Sequence, residues 1–193
     1  VLFGELLPGQ AVTIQGLIQH LSAGMTPVRE ALRRLIAEGA LEAQGNRRIS
    51  VPRLTRANVD ELIFARQAID PKLVFMATSN ITKANMAALT AEDEALDRAI
   101  VAGNIPGYLQ HNYRFHTMLY DIADAPILRS VALRMWLQFG PSLRVVCGRV
   151  GTQNLVDEHK EVLAAMAEGD AERAAAAIRC GLPQSESVTE WPR

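Results

Sequence analysis

Apolar residues recur along most of this chain at intervals of three and four with polar positions between them, the period of amphipathic helices. The first run is Ile14, Leu17, Ile18 and Leu21, with Thr13 placed as its cap. The second is Val28, Ala31, Leu32, Leu35 and Ile36. Thr26-Pro27 reads as its start, a hydroxyl for orphan N–H groups followed by a proline where no N–H is needed. Gly39 stands where a helix-ending glycine belongs, and only Ser22-Ala23-Gly24-Met25 separates the two helices. The pattern then changes to short strands. Residues 41–44, a Gly45-Asn46 turn and residues 48–51 predict a β-hairpin. Two short helices, a tight turn and a hairpin make a winged helix-turn-helix. Residues 1–12, with the Leu7-Pro8-Gly9-Gln10 turn, read as a lead-in.

Beyond Pro52 the strand signal disappears. A helix over 58–76 carries Val59, Leu62, Ile63, Ala65 and Ile69, with Pro71 expected to kink or restart it. Thr82 caps a second through Leu89 and Leu96 toward Gly103, and Asn104 a third with Tyr108, Phe115, Met118 and Leu119. A fourth runs from Pro126 through Leu128, Leu133 and Trp136 to Phe139, ended by Pro141, with a further turn of helix over 142–147. Two more span 153–168, stopped by Gly169, and 170–180. The expected fold is therefore mainly α. A winged helix-turn-helix over 1–54 precedes an all-α antiparallel bundle over 55–185, and 186–193 form a tail.

Charge changes the picture only when divided. The net charge of −1 argues against nucleic acid. Residues 1–55, however, hold six arginines against Glu5, Glu30, Glu38 and Glu42, which leaves +2 there and −3 for the remainder. Arg29 and Arg33 lie four apart on one face of the second helix with Arg34 beside them, and Arg47 and Arg48 sit at the hairpin tip. These are groups that could meet phosphates or base edges; the alternative is an ordinary helical hairpin with a solvated basic face. Cys147 and Cys180 give no disulfide framework. No run of 18 apolar residues and no signal peptide appear, so no membrane is expected and the default compartment is the cytoplasm.

Leu7-Pro8-Gly9, then Thr26-Pro27-Val28-Arg29-Glu30-Ala31-Leu32, Leu35 and Glu38-Gly39 resemble the winged helix-turn-helix of GntR-type bacterial transcriptional regulators. The second half resembles the helical ligand-binding domain of the FadR/FCD branch. That likeness rests on Arg66-Gln67-Ala68-Ile69-Asp70, Asn112-Tyr113-Arg114-Phe115-His116, Glu158-His159, and Gly169-Asp170 with Ala174. The resemblance implies a homodimeric, ligand-responsive regulator that binds operator DNA through Thr26, Arg29, Arg33, Arg34, Arg47 and Arg48. Where the family commonly has Gly-Val-Ser-Arg before Thr-Pro-Val-Arg, this chain has Ser22, Ala23, Gly24 and Met25. Gly24 offers no side-chain contact and Met25 cannot pair with guanine. The chain also begins too late for the full first helix of the family's DNA-binding domain.

The same resemblance implies an effector pocket around Arg66, Asn112, His116 and His159, with a small organic acid as effector. Many relatives hold a divalent metal there with an Asp, a His four residues on, a later His and a third His about 22 residues beyond. The corresponding residues here are Asn112, His116, His159 and Gly181. Two imidazoles and an amide oxygen hold Zn²⁺, Ni²⁺ or Mn²⁺ only with help from water or a carboxylate effector. A metal-free polar cavity with hydrogen-bonded His116 and His159 is the equal alternative. Arg66 matches an arginine facing that pocket, and its partner is either Asp70 one turn on or a bound acid, unless the two form a plain surface pair. His111 is expected at the surface. An enzyme on a helical bundle, or a helical interaction module that has lost DNA binding, are the competing readings. No Glu-x-x-His pair, activated nucleophile or Gly-rich phosphate loop supports catalysis, and Asp157, Glu158 and His159 form at most a generic acid–base cluster.

Overall fold

A computed structural model gives the fold and describes residues 1–45, 48–151 and 158–181. The expected wing tip at Asn46-Arg47, the start of the helix over 153–157 and the tail over 186–193 lie outside the described residues. The first helix, α1, spans Ile14–Leu21, and the Thr13 hydroxyl accepts from the Gly16 N–H as the pattern predicts. It ends at Ser22 in the left-handed region (φ 50°). The second helix, α2, spans Met25–Ala37 and is capped by Gly24 rather than Thr26. Thr26 and Pro27 thus occupy the first turn, where no intrahelical acceptor awaits an N–H and proline costs nothing.

Helix α2 ends as a Schellman motif. The Gly39 N–H donates to the Ile36 carbonyl at 3.0 Å and the Ala40 N–H to the Leu35 carbonyl at 2.9 Å. Gly39 adopts φ +75°, which explains the glycine. The hairpin follows as β2 (Glu42–Gln44) and β3 (Arg48–Ser50), antiparallel with Ala43 opposite Ile49. A strand with no sequence signal, β1 (Ala11–Val12), pairs on the free edge of β3 and makes a three-stranded sheet in the order β1-β3-β2. Val12, Val28, Leu32, Leu41 and Val51 form the small core of this unit.

The rest of the described chain is helical: α3 (Arg56–Asn80), α4 (Lys83–Val101), α5 (Ile105–Ile122), α6 (Pro126–Val150), α7 (His159–Glu168) and α8 (Ala171–Cys180). Thr55 and Thr82 each start a helix with a reciprocal capping box, to Asn58 and to Asn85. One expectation about proline fails: Pro141 lies inside α6 instead of ending the helix. Pro71 lies within α3, which continues through it without a restart. An interior proline removes one backbone hydrogen bond, and burial on both sides outweighs that loss: Leu73 and Val74 follow Pro71, Leu143 and Cys147 follow Pro141. Of the helix expected over 153–168, the described part is α7, which starts at His159 after Glu158 in a non-helical conformation (φ −109°, ψ 16°). Helix α3 packs chiefly on α8, α4 on α5 and α7 on α8. Their shared core includes Leu73, Leu89, Phe115, Leu119 and Trp136.

The lead-in has a structural role. Leu2 and Phe3 leave the first unit and pack against the bundle core. Phe3 meets Tyr113 edge-on at 5.6 Å. Gly140 of α6 leaves room for the Leu2 carbonyl, against which any Cβ would collide.

Candidate DNA-binding helix and effector site

Burial of Val28 and Leu32 turns the opposite face of α2 outward. Thr26, Arg29, Arg33 and Arg34 are all exposed on it. Arg29 has no ion pair among the described residues. Arg33 stands 3.9 Å from Glu30, and Arg34 donates to Glu38 at 2.9 Å. Solvated pairs of this kind hold a side chain loosely and leave it available to a phosphate. Arg48 is exposed at the described end of β3, and Arg47 lies outside the described residues. Met25 projects from the first turn, half exposed.

The bundle interior holds a polar network strung through apolar surroundings. Val59, Ile63, Arg66, Asp70, Leu73 and Ala77 make one buried stripe of α3, so two charges occupy core positions. The Arg66 Nε donates to Asp70 Oδ2 at 3.0 Å, while Asp70 Oδ1 accepts from the Tyr120 hydroxyl at 3.0 Å. The Tyr120 oxygen in turn accepts from the Trp136 indole N–H at 3.1 Å. The guanidinium carbon lies 4.4 Å over the Trp136 ring, a cation–π contact. Arg66 and Asp70 are thus a buried pair and not a surface one. Burial, and then the Asp70 charge, push the Tyr120 phenol far above its ordinary range.

His116 and His159 come together beside this network, from α5 and the first residue of α7, with ring centroids 5.4 Å apart. His159 stacks on Phe115 at 3.9 Å, and His116 lies 5.3 Å from Trp136. Burial, the Arg66 charge and His159 hold the His116 pKa well below 6.5, so its imidazole is neutral at physiological pH. Asn112 is half buried and makes no hydrogen bond among the described residues. Gly181 packs near Glu158 and adds no ligand. His111 departs from expectation: it is half buried and pairs with Glu92 at 2.7 Å.

One member of this cluster was missed at the level of sequence. Asp93 of α4 is 4% exposed, and its Oδ1 lies 3.6 Å from His159 Nδ1. The signal was present, since Leu89, Asp93, Leu96 and Ile100 share one helical stripe. Among the described residues no three His, Cys, Asp or Glu side chains converge as metal ligands do, and the nearby Arg66 guanidinium opposes a second cation.

A winged helix-turn-helix with an arginine-bearing second helix, joined to a bundle with a buried polar site, defines a DNA-binding module carrying a ligand-binding domain. The comparisons agree. Residues 1–51 match the bacterial regulatory proteins of the gntR family, and residues 61–182 match the FCD domain. The chain belongs to the gntR family, in its FCD-domain branch, and is a DNA-binding transcriptional regulator with an effector-binding domain.

Among its relatives is the HTH-type transcriptional regulator McbR of Escherichia coli strain K12. It is 28% identical over 172 residues, which cover 88% of this chain and 78% of that protein. The solved structure of E. coli McbR/YncC superposes with a TM-score of 0.89 at 25% identity, over 97% of this chain and 90% of that one. A GntR-family transcriptional regulator from Pseudomonas syringae pv. tomato DC3000 shares the fold, with a TM-score of 0.61 at 23% identity over 97% of this chain and 79% of that one. No helix among the described residues is long and apolar enough to cross a membrane.

Proposed function

We propose that the chain acts in the cytoplasm as a homodimer whose two α2 helices enter the major groove at paired operator half-sites. Thr26, Arg29, Arg33 and Arg34 contact bases or phosphates, and Arg47 and Arg48 of the wing contact the backbone. Residues 1–54 form the DNA-binding unit and 55–185 the unit that dimerises and receives the effector, a small organic acid at Arg66, Asn112, His116 and His159. That pocket works without a resident Zn²⁺, Ni²⁺ or Mn²⁺. Elemental analysis of wild type and His116→Ala checks this directly, because near-stoichiometric metal lost in the variant would restore the metal reading.

The observation that carries the regulatory reading is the double engagement of α6. Trp136 faces the Arg66–Tyr120–His116 network, while residues two positions to either side grip the DNA-binding unit. Arg134 Nη2 donates to the Ala37 carbonyl at 3.2 Å, and Gln138 Nε2 donates to the Glu38 carbonyl at 3.1 Å. Both acceptors belong to the C-terminal end of α2, where carbonyls lack intrahelical partners. An effector that displaces Trp136 therefore moves the hands that hold the recognition helix, and half-site spacing changes with it.

The test is fluorescence anisotropy with the DNA upstream of the protein's own gene. Arg29→Ala is expected to weaken binding more than tenfold, about 1.4 kcal/mol or more, at unchanged helix content. Equal affinity would mean that another face meets DNA.

A further inference from the structure

The charges buried in the bundle do not balance. Arg66 is neutralised by Asp70, which leaves Asp93 as an additional carboxylate in the same interior. Its neighbours do little for it. Lys160 stands 3.8 Å from Asp93 Oδ2, but its ammonium is two-thirds exposed and is drawn to Asp97 at 2.7 Å. His159 Nδ1, 3.6 Å from Oδ1, is beyond hydrogen-bond length. Asp93 Oδ1 consequently has no hydrogen-bond partner, and a buried acceptor left so is destabilising, the more when charged.

Two further buried atoms share this condition at the other end of the cluster. Arg66 Nη2 lies 2.8 Å from Asp70 Oδ2 without the alignment of a hydrogen bond, and His116 Nδ1 has no partner. Arg66, His116 and Asp93 are each more than nine-tenths buried. The series Arg66, Trp136, His116, His159, Asp93 runs through successive contacts. It presents an unsatisfied cationic donor at one end and an unsatisfied anionic acceptor at the other. A plain carboxylate, or a dicarboxylate, would satisfy the Arg66 end and bring further negative charge toward Asp93. Native proteins rarely leave such groups bare.

From this arrangement we infer that the effector carries a cationic amine as well as an acid: an amino acid, with its carboxylate on Arg66 and His116 and its ammonium on Asp93. The inference rests on the effector reading of this site and narrows its chemical class. Asp93 sets specificity, because an ammonium exchanges its hydration for a buried carboxylate, a charge-assisted hydrogen bond that a hydroxyl or second acid cannot match. His116 and His159 fill the space between and measure the separation of the two ligand ends.

The experiment is a thermal-shift and calorimetric screen of the full chain at millimolar ligand. The probes are glycine, 3-aminopropanoate, 4-aminobutanoate and 5-aminopentanoate, the neutral and basic α-amino acids, succinate, glutarate, butanoate and butylamine. At least one amino acid is expected to bind saturably, and at least tenfold tighter than the diacid, monoacid and amine of matched length. Asp93→Asn, nearly isosteric, should abolish that preference with the far-UV spectrum unchanged, and Asp93→Glu should partly restore it. Tight binding of a diacid with no response to any amino acid would overturn the inference while leaving the effector reading intact. So would amino-acid binding unaffected by Asp93→Asn. Binding of none of these probes would also overturn it. If operator affinity then responds to some other small acid, only the amine requirement falls; if no small molecule alters operator affinity, the effector reading falls with it.

Discussion

Tyr120→Phe removes one oxygen from the centre of the bundle, and its effect follows from the two hydrogen bonds that oxygen makes. As a donor it serves Asp70, and a hydrogen bond to a charged group is worth about 1.5–3 kcal/mol. As an acceptor it satisfies the indole N–H of Trp136, which would be left buried without a partner at about 1–3 kcal/mol. Phenylalanine keeps the ring and leaves little cavity, so the packing cost is small. The expected loss is about 3–5 kcal/mol, which for a chain of this size lowers Tm by roughly 6–20 °C. Urea unfolding followed by far-UV circular dichroism measures it. Trp136→Phe removes the orphaned donor, so the double variant should cost less than the sum of the singles. Tyr120→Phe within about 1 kcal/mol of wild type would refute the view that Arg66, Asp70, Tyr120 and Trp136 act as one buried network.

Two other outcomes follow from the same geometry. Below about pH 6.5 the unfolded chain protonates His116 while the folded chain keeps it neutral. Stability is therefore full above that pH and falls on acidification, by up to about 1.4 kcal/mol per pH unit from this group, and His116→Asn should show a shallower loss in parallel urea melts. Gly140→Ala places a methyl against the Leu2 carbonyl, so it should release the first residues from the bundle and cost about 1–3 kcal/mol, read as earlier limited proteolysis near Phe3; an unchanged cleavage rate would contradict that packing.

How much of this was legible in the sequence differs by element and for physical reasons. Helices with a strong stripe and a side-chain cap, such as α1 with Thr13 and α4 with Thr82, declare themselves because cap and period agree. The start of α2 was off by two residues, since the N–H groups of the first turn are free in any case and a proline there does not discriminate between adjacent starts. Strand β1 has two residues and therefore no period; it exists because the edge of β3 was open to it. Pro141 looked like a stop because backbone chemistry was weighed without the core that carries α6 through it. At the proposed effector site, Arg66 and His116 were singled out through family likeness. Asp93 was open to anyone asking which charges fall on an apolar stripe, a question that burial alone makes important.

The most direct test of the regulatory account needs no knowledge of the effector, because coupling between two sites is reciprocal. Trp136 is one of two tryptophans, so in a Trp191→Phe background its emission and its quenching by acrylamide report on the bundle interior. Operator DNA should change that signal along a saturable curve that matches DNA anisotropy, and Arg134→Ala/Gln138→Ala should abolish the change while DNA still binds. Full occupancy of the operator with no response from Trp136 would contradict the claim that α6 carries the signal between the bundle and the recognition helix.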